Sequence, residues 1–120
     1  MKLLVTGAAG CLGRAVLARA LAAGHQVRAV DLRRPETPVP GPEWVACDLA
    51  ATDVHGLLPL ASGCDAVVHL AALVHRPEIR DSTHYREINT ELTARLIDAA
   101  LSAGVPRGRF AFSSTVGAIH

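Results

Sequence analysis

Lysine is almost absent from this chain, because Lys2 is the only one in 120 residues and arginine supplies the other basic side chains. Any mechanism that requires a lysine must therefore use the second residue or obtain one from elsewhere. An excess of charge is missing too, since twelve Lys and Arg face eleven Asp and Glu, for a net charge of +1. Such a balance gives no general attraction to a phosphate backbone or an anionic membrane. We therefore expect neither nucleic acid nor a membrane as a partner.

Cysteines and long apolar runs are also scarce. The three cysteines are an odd number without a Cys-x-x-Cys pair, which argues against a disulfide framework and favours a reducing cytoplasm. The histidines, including His75, lack Cys or carboxylate partners at the spacing of metal ligands, so no metal is expected. The apolar run at residues 3–5 is far shorter than the roughly 7–15 residues of a secretory core or the ~20 of a membrane span.

What is present is an alternation of strand and helix patterns, in a chain that is 50% hydrophobic and long enough for one domain. Short apolar runs predict five strands, at residues 3–5, 26–31, 44–47, 66–70 and 109–113. Helical spacing of apolar residues predicts helices at 12–23 and 81–103. A weaker helix is predicted at about 51–60, where Gly56 and Pro59 interrupt the pattern.

This alternation predicts parallel strands joined by right-handed helical crossovers. The expected fold is α/β, a doubly wound parallel sheet with strand order 3-2-1-4-5 and helices on both faces. In such sheets ligands bind beyond the carboxyl ends of the strands where the order reverses, here between the first and fourth strands. The residues that follow these strand ends are therefore the candidate site.

Three glycines follow the first strand at G-x-x-G-x-x-G spacing, namely Gly7, Gly10 and Gly13. Such glycines permit a tight turn, let a pyrophosphate approach the backbone and allow close packing of the next helix, whose N-terminus faces the phosphates. Asp31 ends the second strand 18 residues after Gly13. That offset is near the ~20 residues at which a carboxylate binds the ribose of NAD. The alternative is a glycine-rich turn without a ligand.

This glycine spacing resembles that of the short-chain dehydrogenase/reductase superfamily. The chain is most similar to the extended branch, the NAD-dependent epimerases and dehydratases of nucleotide sugars and related reductases. The resemblance spans the whole chain and implies a Rossmann fold, truncated after the fifth strand. Further segments match the branch in order: Asp48-Leu49, Val68-His69-Leu70-Ala71-Ala72, Ile88-Asn89-Thr90 and Phe112-Ser113-Ser114-Thr115.

The resemblance implies a cofactor, NAD or alternatively NADP, and a place for each part of it. The residues implied at the pyrophosphate are Gly7, Gly10, Cys11, Leu12 and Gly13. Asp48 would accept a hydrogen bond from the exocyclic amine of adenine, and Leu49 would pack on the ring. Since Asp is also a common N-cap, Asp48 has the alternative role of capping the next helix. The residues implied along the path to nicotinamide are Leu70, Ala71 and Ala72.

Asp31 binds the adenosine ribose under this hypothesis and repels a 2′-phosphate, which favours NAD. Arg33 and Arg34 would offset that repulsion and admit NADP. Asn89 resembles a structural asparagine of the family, with hydrogen bonding to loop backbone as its simpler role. Thr115 resembles the catalytic hydroxyl that binds the reacting substrate oxygen.

Two further expectations concern hydroxyl and imidazole groups near the strand ends. Ser113 or Ser114 would assist Thr115, although all three are otherwise ordinary end-of-strand hydroxyls. His69 lies in an apolar strand and is expected to be a packed, hydrogen-bonded core residue and not a ligand.

A Tyr-x-x-x-Lys pair, which supplies the general base in the family, lies beyond the fifth strand and is not in this chain. Tyr85 is the only tyrosine and is followed four residues later by Asn89, and Lys2 cannot substitute from the first strand. General-base catalysis contributes about 10²–10⁴-fold, so we expect residues 1–120 alone to be a poor catalyst. They are interpreted as an incomplete NAD(P)-binding domain, whose fifth strand forms an open edge for aggregation or homodimerisation.

Two functions from different classes therefore remain open. The first is the cofactor-binding part of an epimerase, dehydratase or reductase that transfers hydride on a nucleotide sugar or a similar small molecule with a hydroxyl or carbonyl group. The second is a non-catalytic module that senses a dinucleotide or mediates an interaction. An α/β domain without any nucleotide is a third interpretation.

Overall fold

The chain folds into an open sheet with helices on both faces. The computed structural model describes residues 1–71 and 82–112, with the backbone alone at 82–88. The elements are β1 (Lys2–Thr6), α1 (Cys11–Ala22), β2 (Gln26–Asp31), β3 (Glu43–Ala46), a 3-10 turn (Leu49–Ala51), α2 (Val54–Ala61), β4 (Ala66–His69), α3 (Ser82–Ser102) and β5 (Phe110–Phe112). All neighbouring strands are parallel, in the order β3-β2-β1-β4-β5. The predicted fold class and strand order are confirmed.

The weak helix predicted at about 51–60 is present as α2, and a separate 3-10 turn at Leu49–Ala51 lies before it. The 3-10 turn comes first, and α2 begins only at Val54 because the Asp53 carboxylate accepts a hydrogen bond from the Gly56 N–H at 2.8 Å and caps the helix there. Pro59 lies inside α2 without ending it. Burial of Leu57 and Leu60 against the sheet compensates for the one backbone donor that proline removes.

The central strand β1 divides the core into two layers. Leu4 packs with the apolar faces of α2 and α3, whereas Val5 packs on the other face of the sheet with Leu17 of α1. All three side chains have no exposed surface, and burying each contributes about 1.5–3 kcal/mol. Helices therefore hold both faces of β1 and fix where its carboxyl end points. None of the helices in the described part of the chain is long and apolar enough to cross a bilayer.

Side chains tie the opposite, amino edge of the sheet together. Arg28 of β2 donates from Nη1 to the carbonyl oxygens of Leu60 and Ser62 at 2.6 and 2.9 Å, which satisfies the end of α2. The Asp65 carboxylate accepts the Lys2 N–H at 2.8 Å and joins β4 to β1. These contacts join the elements at the amino edge, opposite the carboxyl ends of the strands where ligands bind in sheets of this kind.

Candidate functional site

The turn after β1 lies between the ends of β2 and β4. The strand register pairs Thr6 with Val30 on one side and with His69 on the other. Gly7 therefore emerges beside Asp31, the last residue of β2, and beside the segment that follows β4. This is the reversal point of the strand order, where the site was predicted.

Two constraints require glycine at position 7: its backbone conformation and the close approach of the chain that follows β4. Its φ of +68° lies in the left-handed region that side chains rarely adopt. A Cβ atom here would lie 2.7 Å from the Ala71 nitrogen and 2.8 Å from the Leu70 carbonyl carbon. The turn and the backbone after β4 are therefore in direct contact at Leu70 and Ala71.

Gly13 permits α1 to begin directly on this turn. A Cβ atom at Gly13 would lie 2.2 Å from the Gly7 oxygen and 2.7 Å from the Ala8 Cα. Both distances are far inside van der Waals contact, so only glycine allows this approach. The close contact aims the first turn of α1 at the space beyond the strand ends.

Gly10 differs from the other two glycines. It has an ordinary extended backbone, with φ of −75° and ψ of 172°, and the nearest atom to an added Cβ is the Gly7 oxygen at 3.5 Å. Neither strain nor internal packing demands glycine here. Its missing side chain keeps open the space beside the N-terminus of α1, where Cys11 and Leu12 are also exposed.

That space suits an anion such as a pyrophosphate. Gly10 is the N-cap of α1 and contributes no side-chain hydrogen bond. The first N–H groups of any helix have no acceptor within the helix, and the helix dipole adds partial positive charge at the same end. A cradle that a Cβ would fill, lined by backbone donors, fits a diphosphate.

Asp31 is fixed in place by two backbone amides. Its Oδ2 accepts the Ala9 N–H at 2.9 Å, and its Oδ1 accepts the Leu32 N–H at 2.7 Å. The first bond ties the end of β2 to the glycine turn. Each carboxylate oxygen keeps a further lone pair, so the half-buried group can also accept from a sugar hydroxyl. Arg33 follows on the exposed loop, as does Arg34.

Thr6 and His69 form a buried polar pair beneath the turn. The Thr6 Oγ1 accepts the N–H groups of Leu70 and Ala71 at 3.1 and 3.2 Å and lies 2.6 Å from His69 Nδ1. This arrangement fits a neutral His69 whose Nδ1 accepts the Thr6 hydroxyl proton and whose own proton is on Nε2. Burial lowers the pKa of His69 to about 4. The prediction of a packed, hydrogen-bonded His69 is confirmed.

The role of Thr6 was not predicted from the sequence, in which Thr6 directly follows the apolar run at residues 3–5. A hydroxyl residue in the last position of a buried strand is the signal that was available. Buried hydroxyls need partners, and the backbone that follows the neighbouring strand was the nearest source of them.

Asp48 is exposed and lies at the N-cap of the 3-10 turn, yet its carboxylate makes no cap hydrogen bond. Since Asp53 caps α2, the alternative that Asp48 caps the next helix is wrong. Leu49 is 5% exposed and packs in the core. Any contact of Leu49 with an adenine ring is therefore limited to the small edge that remains open.

The other predicted site residues are described only in part. Asn89 lies in α3 and is half-buried, and its backbone carbonyl oxygen accepts a hydrogen bond from the Thr93 hydroxyl at 2.8 Å. The side chain of Tyr85 is not described. Four predicted site residues lie outside the described residues: Ala72, Ser113, Ser114 and Thr115.

Comparison with known proteins agrees with this geometry. The model of the NAD dependent epimerase/dehydratase family matches residues 3–119. The chain belongs to this family. It is 36% identical over 121 aligned positions to 2-alkyl-3-oxoalkanoate reductase from Stenotrophomonas maltophilia, an alignment that covers 100% of this chain and 35% of that protein. Uronate dehydrogenase from Agrobacterium fabrum is likewise 36% identical, over 97% of this chain and 42% of that enzyme.

Solved structures of the family show the same fold. A short-chain dehydrogenase/reductase superfamily protein from Agrobacterium tumefaciens, crystallised with bound NAD, is 40% identical with a TM-score of 0.74, over 96% of this chain and 33% of that chain. The chain also spans 12% of the length of a Mycobacterium tuberculosis protein to which it is 33% identical. It therefore corresponds to a fraction of the length of these family members.

Proposed function

We propose that residues 1–120 form the NAD-binding part of an NAD-dependent oxidoreductase or epimerase. The observation that carries this proposal is the open cradle at Gly10. The backbone conformation there does not require glycine, whereas a diphosphate bound at the N-terminus of α1 requires the space that a side chain would fill. The family match and a relative crystallised with NAD support it. A non-catalytic sensing module is not favoured, because the named family relatives are enzymes.

The chain's own residues would bind and orient the cofactor. The first turn of α1 would hold the pyrophosphate, Asp31 the adenosine ribose, and Asp48 the exocyclic amine of adenine. Leu70 and Ala71 would direct the other end of the dinucleotide along the end of β4. When bound, NAD supplies hydride transfer.

The substrate in this proposal is a nucleotide sugar or a similar small molecule with a hydroxyl or carbonyl group. One family structure, 32% identical to this chain, was solved in complex with UDP-glucuronic acid and NAD. Thr115 would bind the reacting oxygen. A cytoplasmic setting is part of the same proposal and agrees with the three free thiols of Cys11, Cys47 and Cys64.

The substitution Gly10→Ala tests the cradle directly. The added methyl is tolerated by the fold but occupies the space of the diphosphate, so NAD affinity should fall at least about tenfold. Isothermal titration calorimetry measures the affinity, and thermal unfolding should match the wild type.

Gly108→Ala is the matched control for the cradle. Gly108 also has open space around an added Cβ but lies away from the site, so its variant should bind NAD like the wild type. Wild-type affinity in Gly10→Ala would contradict the proposed cradle, and a wild-type chain that binds no NAD would contradict the function.

Asp31→Asn tests the choice between NAD and NADP. Removal of the negative charge that faces a 2′-phosphate should lower the preference for NAD over NADP about tenfold or more. The measurement is the ratio of the two dissociation constants in each variant.

Asp65→Asn is the control for Asp31→Asn, because Asp65 also accepts a backbone N–H but lies at the amino edge of the sheet. Its ratio of dissociation constants should equal that of the wild type. An unchanged ratio in Asp31→Asn would show that this carboxylate does not face the ribose. Arg33→Gln should weaken NADP more than NAD.

A further inference from the structure

Arg95 reaches from α3 to the turn that follows β3. Its Nη2 donates to the carbonyl oxygens of Ala50 at 3.2 Å and Leu49 at 3.5 Å. Both carbonyls belong to the 3-10 turn, and that of Leu49 also accepts the Thr52 N–H at 3.2 Å within the turn. Arg95, which lies 45 residues after Ala50 in the chain, thus links α3 to this short turn.

Packing alone does not account for an arginine at this position. Its Nε is buried and has no hydrogen-bond partner among the residues that the structure describes, which is an unfavourable state for a polar donor. Leu92 and Leu96 on the same helix, together with Leu49, form an apolar core, and an unbranched apolar side chain would fill the same place without that cost. What arginine adds is the pair of hydrogen bonds to the turn.

The turn in question determines the backbone position of Asp48. The Asp48 carbonyl oxygen accepts the Ala51 N–H at 3.1 Å and the Thr52 hydroxyl at 2.6 Å. The Asp48 side chain itself makes no cap hydrogen bond and is exposed. The direction of this carboxylate therefore depends on how firmly the turn is held.

We propose that Arg95 is a positioning residue, which holds the 3-10 turn so that the Asp48 carboxylate faces the adenine end of the bound dinucleotide. This inference rests on the proposed function. In this proposal Arg95 acts through the carbonyl groups of Leu49 and Ala50 and not through contact with the cofactor. Its effect should be confined to recognition of the adenine amine and should not extend to the diphosphate.

The first test needs no cofactor. In Arg95→Met, the amide hydrogens of Ala51 and Thr52, which close the turn onto Asp48 and Leu49, should exchange with solvent about tenfold faster. Amides of the sheet and of α3 should keep their wild-type rates. Arg107→Met, the same substitution at an exposed arginine, is the matched control and should change none of these amides.

The second test compares NAD with its hypoxanthine analogue, in which an oxygen replaces the exocyclic amine of adenine. The wild-type chain should prefer NAD by about tenfold, because Asp48 accepts a hydrogen bond from the amine. Arg95→Met should lose that preference by binding NAD more weakly while its affinity for the analogue stays the same. Asp48→Asn should show the same loss, and Arg95→Lys should restore part of the preference.

Unchanged exchange at the turn, an unchanged preference for NAD, or equal weakening of both dinucleotides in Arg95→Met would overturn the positioning role. A wild-type chain that binds NAD without preferring it over the analogue would overturn it as well, and would leave NAD binding itself intact. A wild-type chain that binds neither dinucleotide would overturn the proposed function. If Arg95→Met does not fold, Arg95→Lys with partial loss of the preference takes its place.

Discussion

Replacement of Gly13 by alanine should lower the free energy of unfolding by at least about 3 kcal/mol. The new methyl would lie 2.2 Å from the Gly7 oxygen and 2.7 Å from the Ala8 Cα, and both neighbours are backbone atoms that cannot rotate away. To accommodate it, α1 must move off the turn, which separates Leu17 and Ala20 from their packing against the sheet. A domain with a total stability of about 5–15 kcal/mol loses a large share of it.

Urea unfolding followed by circular dichroism measures this effect. Gly108→Ala is the matched control because an added Cβ there meets no atom within 4 Å, and it should have wild-type or slightly higher stability. Gly10→Ala provides a second control inside the same loop. If Gly13→Ala were as stable as these two variants, the close contact between α1 and the turn would not exist.

The backbone of the site could be predicted from the sequence because it depends on local spacing. A buried run, three glycines and a helical pattern follow one another within residues 3–23, and few chain paths satisfy all three. The offset of 18 residues from Gly13 to Asp31 likewise corresponds to one helix and one returning strand. Such distances along the chain fix which strand ends meet.

Side-chain hydrogen bonds between distant elements could not be predicted in this way. Thr6 and His69 are 63 residues apart, and Arg95 lies 45 residues from Ala50. Whether two such groups meet depends on strand register and helix rotation, which a pattern of apolar residues does not specify to within a hydrogen-bond length. The start of α2 differs by a few residues, because the helix was predicted from about residue 51 and begins at Val54. Asp53 is a common type of N-cap residue and caps α2, but from the sequence only Asp48 was considered for that role.

Acidification should destabilise the fold through His69. The unfolded chain takes up a proton at this residue below about pH 6.5, whereas burial lowers the pKa of His69 in the folded chain to about 4. The contribution of the neutral residue is thus complete above pH 6.5, falls as the pH drops through this window, and is lost below about 4. The shift corresponds to about 3 kcal/mol.

The hydrogen bond between Thr6 and His69 gives a second reason why stability should fall at low pH. The Thr6 Oγ1 and the His69 Nδ1 are 2.6 Å apart. In the neutral tautomer with its proton on Nε2, Nδ1 accepts the Thr6 hydroxyl proton, whereas a protonated imidazole places a second donor there. The Thr6 hydroxyl also holds the N–H groups of Leu70 and Ala71. Loss of this pair at low pH should therefore loosen the backbone against which Gly7 packs, and with it the path of the cofactor.

His69→Asn isolates this effect from the titration of carboxylates. An asparagine oxygen can accept the Thr6 proton in place of Nδ1 but does not titrate, so the stability of this variant should depend less on pH by the same ~3 kcal/mol between pH 6.5 and 4. Urea unfolding at several pH values gives the slope for each protein. His55→Asn, at an exposed histidine of α2, should keep the wild-type slope. If His69→Asn and the wild type had parallel stability profiles over this range, the buried neutral imidazole would not be what resists acid, and the Thr6 pair would have to be stable in its protonated form.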